Sequence, residues 1–223
     1  EIDFWTKEEF EKVIKTFYIE DYYQNFSFIC IWLLFMTGMR IGEATALTWK
    51  DVNLDGRYLT VKNSLYYKNA QTYEFVSPKT RASIRTIYLD EDTVHYLRDW
   101  KKRQDDVGGI EFVLSYNSVP TQKHTVRHII KRHAKLAEVH DIRIHALRHS
   151  HASLLISMGT NALLIKERLG HEDVQTTLGT YGHLYPSSST EIANELKGIV
   201  NVEFTERNMA SEVTNQFTKG VKK

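Results

Sequence analysis

The chain is 223 residues long, 42% hydrophobic and 26% charged, with a formal net charge of +1. That length suffices for a well-buried domain, and the composition excludes disorder as the main state. The single cysteine, Cys30, excludes a disulfide framework or a cysteine zinc cluster, and the longest apolar run, 26–36, is too short to span a membrane.

Eleven glycines and three prolines are few breakers for this length and favour long helices. Thr6-Lys7-Glu8-Glu9 has the form of a capping box and predicts a helix over 7–18. A buried helix follows over 23–37, with Cys30 as a small hydrophobe inside it. Gly38 ends it, and a short helix follows over 40–47. Residues 53–56 read as a turn. Strands are expected at 58–61, 72–76 and 83–89, where β-branched and aromatic residues gather, with 78–81 as the tip of a hairpin joining the last two. Helices are expected over 91–104, 121–137, 146–158, 162–169 and 174–182, with one more short strand at 111–114. The fold class is therefore mainly α with a small antiparallel β-sheet, an α+β domain spanning 1–200.

Charge is unevenly placed. Residues 121–148 carry seven lysines and arginines against two acids, with five histidines among them. Such a segment on a near-neutral chain is the pattern of a local polyanion-binding face, although charge alone equally fits a solvated helix. The start carries no signal-peptide pattern, which places the chain in the cytoplasm with no membrane association. It begins with Glu1 rather than Met, which reads as a piece of a longer protein.

Four constellations carry possible chemistry. His145 and Arg148 sit three residues apart at a helix start, where one face and free N–H groups can meet an anion. Leu169-Gly170-His171 is followed ten residues later by Tyr181. Thr37-Gly38-Met39-Arg40-Ile41-Gly42-Glu43 sets an arginine after a glycine break. Lys79 lies in Ser77-Pro78-Lys79-Thr80-Arg81. Each alone has a plain structural explanation: a satisfied polar cluster, a helix cap, a local ion pair, a solvated lysine. Together they make a set suited to metal-free phosphoryl transfer. Guanidinium groups fit the non-bridging oxygens of a phosphodiester, tyrosine is a covalent nucleophile, and lysine can protonate a leaving alkoxide.

The strings at 37–43, His145-Ala146-Leu147-Arg148-His149, Leu169-Gly170-His171 and Thr180-Tyr181-Gly182-His183 resemble the tyrosine recombinase (phage integrase) family. Order and intervals both match: 108 residues separate Arg40 from Arg148, 23 separate Arg148 from His171 and ten separate His171 from Tyr181. The sequence looks most like integrases of Gram-positive phages and conjugative transposons. The resemblance implies the tyrosine recombinase catalytic-domain fold and site-specific DNA recombination through a 3′-phosphotyrosine. Arg40 and Arg148 would clamp the phosphate, with His145 and His171 hydrogen-bonded to it and His145 also helping to take the tyrosine proton. Lys79 would protonate the 5′ oxygen, Tyr181 would attack, and Glu43 would support Arg40.

No cofactor or metal is implied. The implied partners are double-stranded DNA, further copies of the chain in a synaptic tetramer, and accessory DNA-bending or excision factors. Tyr185 stands as a rival nucleophile, and Lys62 and Lys68 as rivals to Lys79. Rival functions are a type IB topoisomerase, a metallohydrolase built on His145, His149 and His151, and a non-catalytic DNA-binding module. The family's N-terminal DNA-binding domains are not in this sequence. In the tail, 201–223, Met209, Val213, Phe217 and Val221 recur every fourth residue as an apolar stripe on a short helix. The resemblance implies that this tail docks in trans on a neighbouring protomer.

Overall fold

In the computed structural model, the described residues are 3–68, 72–77, 80–185, and 194, 196, 197 and 199. The chain divides into two units, 1–185 and 186–223. In the second, the described residues make turn hydrogen bonds from Lys197 N to Asn194 O and from Ile199 N to Leu196 O. The 201–223 tail and its stripe, like Lys79, lie outside the described residues.

The first unit is built around α2 (Tyr22–Thr37), a helix apolar on nearly every side. A helix of that kind has no solvent face and must be wrapped. Asp21 caps its start, accepting from Gln24 N, and Gly38 ends it in the left-handed region at φ 65°. No side chain fits at Gly38, because a Cβ would stand 2.6 Å from His151 Cδ2 and 2.7 Å from Leu169 Cδ2. α1 (Lys7–Ile14) starts with the expected Thr6–Glu9 capping box. It stops well before residue 18, where the Thr16 hydroxyl donates to Val13 O at 2.6 Å and Phe17 turns in to stack on His133 at 3.7 Å. α4 (Glu91–Asp106), α5 (Lys123–Leu136) and α6 (Ala146–Ser157) complete the wrapping of α2. α5 begins two residues late because Thr121 is pinned, its N–H and hydroxyl both donating to Leu114 O.

Between α3 (Ile41–Ala46) and α4 lie two small antiparallel sheets rather than one. β1 (Val52–Asn53), β2 (Tyr58–Val61) and β5 (Arg85–Tyr88) form a three-stranded sheet in the order β1-β2-β5. β3 (Ser64–Tyr67) and β4 (Tyr73–Val76) form the other, with Leu65 opposite Phe75. The expected hairpin through 78–81 is therefore corrected, since the strands on its two sides pair with different partners. The strand expected at 111–114 is a single bridge between Phe112 and Thr48. α7 (Ala162–Leu169) ends at Gly170 in the left-handed region, and α8 (Val174–Tyr181) follows, capped by Asp173. Cys30 is fully buried, and that burial pushes its thiol up, the state of an inert core residue.

Candidate active site

Most of the expected site residues converge on one cleft of about 710 Å³, lined by Arg40, Glu43, His145, Gly170 and His171 and by β3 and β4 residues. Glu43 is its hub. It sits 6% exposed and takes both Arg85 nitrogens in a bidentate pair, Nη2 to Oε2 at 2.9 Å and Nη1 to Oε1 at 3.2 Å. Arg40 adds its backbone N–H to Oε2 at 2.8 Å and its Nη1 to Oε1 at 3.0 Å. Burial raises the pKa of the Glu43 carboxyl, but the pull of Arg85 and Arg40 outweighs it and holds the group below the usual range. Arg85 also donates Nε to Arg168 O at 2.7 Å, tying β5 to the end of α7. Gly170 is required there: its φ is +70° and a Cβ would lie 2.9 Å from Arg85 Nη1.

Arg148, only 2% exposed, donates Nη1 to Gly38 O at 2.8 Å, while its buried Nη2 has no hydrogen-bond partner among the described residues. Burial and the charge of Arg40 lower its pKa, with Glu43 opposing. Three guanidinium groups, Arg40, Arg85 and Arg148, thus share one carboxylate, and Lys123 and Glu172 offset each other on the rim. The cleft is left with an excess of positive charge and one unpartnered buried donor. Such a donor is costly in a folded protein unless an anion meets it.

The histidines are neutral donors and acceptors at ordinary pH. Burial first, then Arg148 and Arg40, lower His145 and bring His171 to about 4. His171 Nδ1 meets the buried Thr177 hydroxyl at 2.8 Å, which leaves Nε2 as its other polar atom. Tyr181 is packed with Ala152, Ile156, Ile165 and Leu169 at 1% exposure, and its hydroxyl meets His149 Nδ1 at 2.7 Å. Burial raises the phenol's pKa against the pull of Arg148 and Arg40. Tyr185 packs on the rim of the same cluster with its hydroxyl near Thr160 O.

Residues 4–188 match the family model described as the phage integrase family. The chain belongs to this family. The ICEBs1 integrase of Bacillus subtilis (strain 168) is 34% identical over 215 residues, which is 88% of this chain and 55% of that protein. The integrase of Staphylococcus phage L54a is 28% identical, over 74% of this chain and 50% of its own length. The chain thus spans about half the length of these relatives. Among solved structures, a Tn1549 transposon integrase in complex with transposon right end DNA superposes with a TM-score of 0.71 at 22% identity, over 87% of this chain and 65% of that one. The catalytic domain of bacteriophage HP1 integrase superposes with a TM-score of 0.55 at 19% identity, over 92% of this chain and all of that one. Both likenesses confirm the phage integrase fold.

Within this phage integrase domain, three contacts around the candidate site escaped the sequence reading. Arg85 shares the inward face of β5 with Ile87, and an arginine in that alternation was the available signal. Thr177 and the His149–Tyr181 pair join residues from separate turns of the chain, and no spacing rule marks them. The three histidines of the metallohydrolase alternative do not converge. His149 is engaged with Tyr181, while His151 accepts from Arg168 Nε at 3.0 Å. Among the described residues, no group of three or more His, Cys, Asp or Glu side chains is arranged to hold a metal ion, and no helix is long and apolar enough to cross a membrane.

Proposed function

We propose that this domain breaks and rejoins double-stranded DNA in site-specific integration and excision of a mobile element. The single observation that carries this reading is the excess positive charge of the cleft, with the unpartnered Nη2 of Arg148 beside Arg40. A phosphodiester supplies the missing anion in a shape that suits guanidinium groups. Arg40 and Arg148 hold the non-bridging oxygens, His145 and His171 donate to them, and Glu43 with Arg85 keeps Arg40 in place. Tyr181 attacks phosphorus, giving a 3′-phosphotyrosine and a free 5′-hydroxyl, and Lys79 protonates the departing oxygen. A 5′-hydroxyl from a partner duplex reverses the step. The bond to tyrosine conserves the ester, so no nucleotide or metal is needed.

The exposed bases of α5, Lys123, Lys131, Arg132 and Lys135, offer further phosphate contacts along the duplex. Relatives named integrases, and a neighbour solved with transposon end DNA, support the choice of substrate. On this reading, the chain assembles as a tetramer on two DNA sites, its 201–223 tail docks in trans, and accessory DNA-bending or excision factors bias direction. The test uses a pool of duplexes randomised around a position nicked just past the scissile phosphate, so that a cleaved end is lost and the adduct is trapped. Covalent protein–DNA bands with DNA linked to Tyr181 are expected. Absence of any band across the pool, or linkage to Tyr185, overturns the assignment.

A further inference from the structure

We propose that His149 takes the proton of the Tyr181 hydroxyl as that oxygen attacks phosphorus; the inference rests on Tyr181 being the nucleophile. The residue was not singled out by its spacing. It emerges from contact: Nδ1 of His149 lies 2.7 Å from the Tyr181 hydroxyl, with the rings edge to face at 5.6 Å. His145 opens onto the cleft and meets His149 at 4.8 Å between ring centres, and it makes no hydrogen bond to Tyr181.

The direction of the bond follows from burial. Tyr181 is 1% exposed in a pocket of aliphatic side chains, and its hydroxyl has no other hydrogen-bond partner among the described residues. Were Nδ1 to carry the proton, the phenol O–H would be left unpartnered in that pocket, at a cost a neutral acceptor removes. Nδ1 is therefore the acceptor and Nε2 carries the imidazole proton. The groups facing His149 are His145 and Arg148 on its own helix and Tyr181 from α8. Burial, then His145 and Arg148, hold it at about 4, so it is neutral and able to accept throughout the neutral range.

The step balances as follows. The bond from the Tyr181 oxygen to phosphorus forms, the bond from phosphorus to the 5′ oxygen breaks, and the phenol proton moves to Nδ1. The 5′ oxygen takes a separate proton from the leaving-group acid. Before attack the proton stays on the tyrosine, whose own pKa is raised. Bond formation to phosphorus withdraws charge from the oxygen and makes that proton strongly acidic, so transfer accompanies attack. The imidazolium formed returns the proton when a 5′-hydroxyl displaces the tyrosine.

The experiment is covalent-adduct formation by the full chain on a duplex recovered from the pool above, with His149→Asn and His145→Asn compared. The Asn side-chain oxygen can stand where Nδ1 stands and keep the hydrogen bond, but it cannot take a proton. His149→Asn should slow adduct formation by about 10² at pH 7, within the range of general-base effects, and its rate should climb about tenfold per pH unit toward pH 9 as hydroxide replaces the base. Wild type and His145→Asn should stay flat over that range. The defect should persist on a duplex with sulfur at the 5′ bridging position, whose leaving group needs no acid.

A flat profile near the wild-type rate in His149→Asn, or rescue by the sulfur substrate, overturns the proposal. Should that variant not fold, ¹⁵N NMR of the wild-type protein still decides. An unprotonated Nδ1 whose shift moves in Tyr181→Phe supports it, and a protonated Nδ1 overturns it. A wild-type protein that forms no adduct at Tyr181 sinks the functional reading itself, whereas a normal adduct with an indifferent His149→Asn sinks this inference alone.

Discussion

The two halves of the site are built on opposite physical terms. On the cleft side, three guanidinium groups share Glu43, and Arg148 keeps a buried donor without a partner among the described residues. That arrangement costs folding free energy, and an arriving anion recovers it. On the side of the proposed nucleophile, Tyr181 fills an aliphatic pocket and its hydroxyl is satisfied by His149, which stabilises the fold with or without DNA. The cleft thus holds uncompensated charge ahead of an anion, and the proposed nucleophile is held by packing. Perturbing one half should trade activity against stability, while perturbing only the chemistry of the other should leave stability nearly untouched.

The largest effect sharpens that contrast. Tyr181→Phe keeps the ring and its packing, so adduct formation should vanish on a denaturing gel while the unfolding free energy falls by only about 1 kcal/mol. DNA affinity, measured by anisotropy, should stay near wild type. A large loss of stability would show that the hydroxyl, not the ring, anchors the pocket.

Next comes Arg148. Arg148→Lys replaces a planar fork by a point charge, and loss of such a transition-state contact costs about 3 kcal/mol, so cleavage should drop by roughly 10² or more. Arg148→Met removes the unpartnered charge at similar length. Its melting temperature in buffer should equal or exceed that of wild type, and it should lose the rise that inorganic sulfate gives wild type. A melting temperature well below wild type in both conditions would break the comparison, because the cleft would then be an ordinary stabilising network.

The same distinction explains what could be read in advance. Helix ends were legible where one side chain settles them, as at Thr6 with Glu9 and at Gly38 and Gly170. Strand pairing was not. Ser64–Tyr67 is a four-residue strand with only Leu65 buried, too short an alternation to announce itself, and its presence takes β4 away from β5. Arg40, His145, Arg148 and His171 were legible through the family resemblance, and the fold sets Arg40, His145 and His171 on one cleft with Arg148 close behind them. Arg85 was not, because it reaches Glu43 from 42 residues away through a sheet register that local patterns do not encode. Lys79 and the tail remain proposals, since both lie outside the described residues.

A smaller effect follows from pH. His149 and His171 titrate near 4 in the fold, against about 6.5 in an unfolded chain. Between those values the unfolded chain binds protons that the fold refuses, so stability should fall as pH drops from about 6.5 toward 4. His133 and His151, buried outside the lining of the cleft, add to the same fall. A bound anion offsets the charge of Arg148, which lowers His149, His171 and His151, and so raises those three but not His133. Melting curves should therefore decline less steeply with acid in sulfate than in chloride, and Arg148→Met should erase that difference. Equal slopes in both salts would separate these histidines from the anion site.

The smallest predicted effect concerns Thr177. Its hydroxyl is fully buried and faces His171 Nδ1 at 2.8 Å. Two arrangements are possible in principle. If Nδ1 carried the proton, Nε2 would turn a lone pair toward the phosphate, which repels an anion. If the hydroxyl donates to Nδ1, the proton sits on Nε2 and can be given to a phosphate oxygen, so only this arrangement suits an anion-binding cleft. Thr177→Val keeps the shape and removes the donor. Without it the ring is free to adopt the unfavourable tautomer, at a cost near that of one hydrogen bond, about 1 kcal/mol, or roughly fivefold in the cleavage rate. Thr177→Ser should recover most of the loss, because the hydroxyl and not the methyl sets the proton. Nitrogen NMR of His171 should show Nε2 protonated in wild type and the Ser variant, and a mixture in the Val variant. A wild-type rate and a single tautomer in Thr177→Val would mean that the cleft's own charge, rather than α8, orients the histidine.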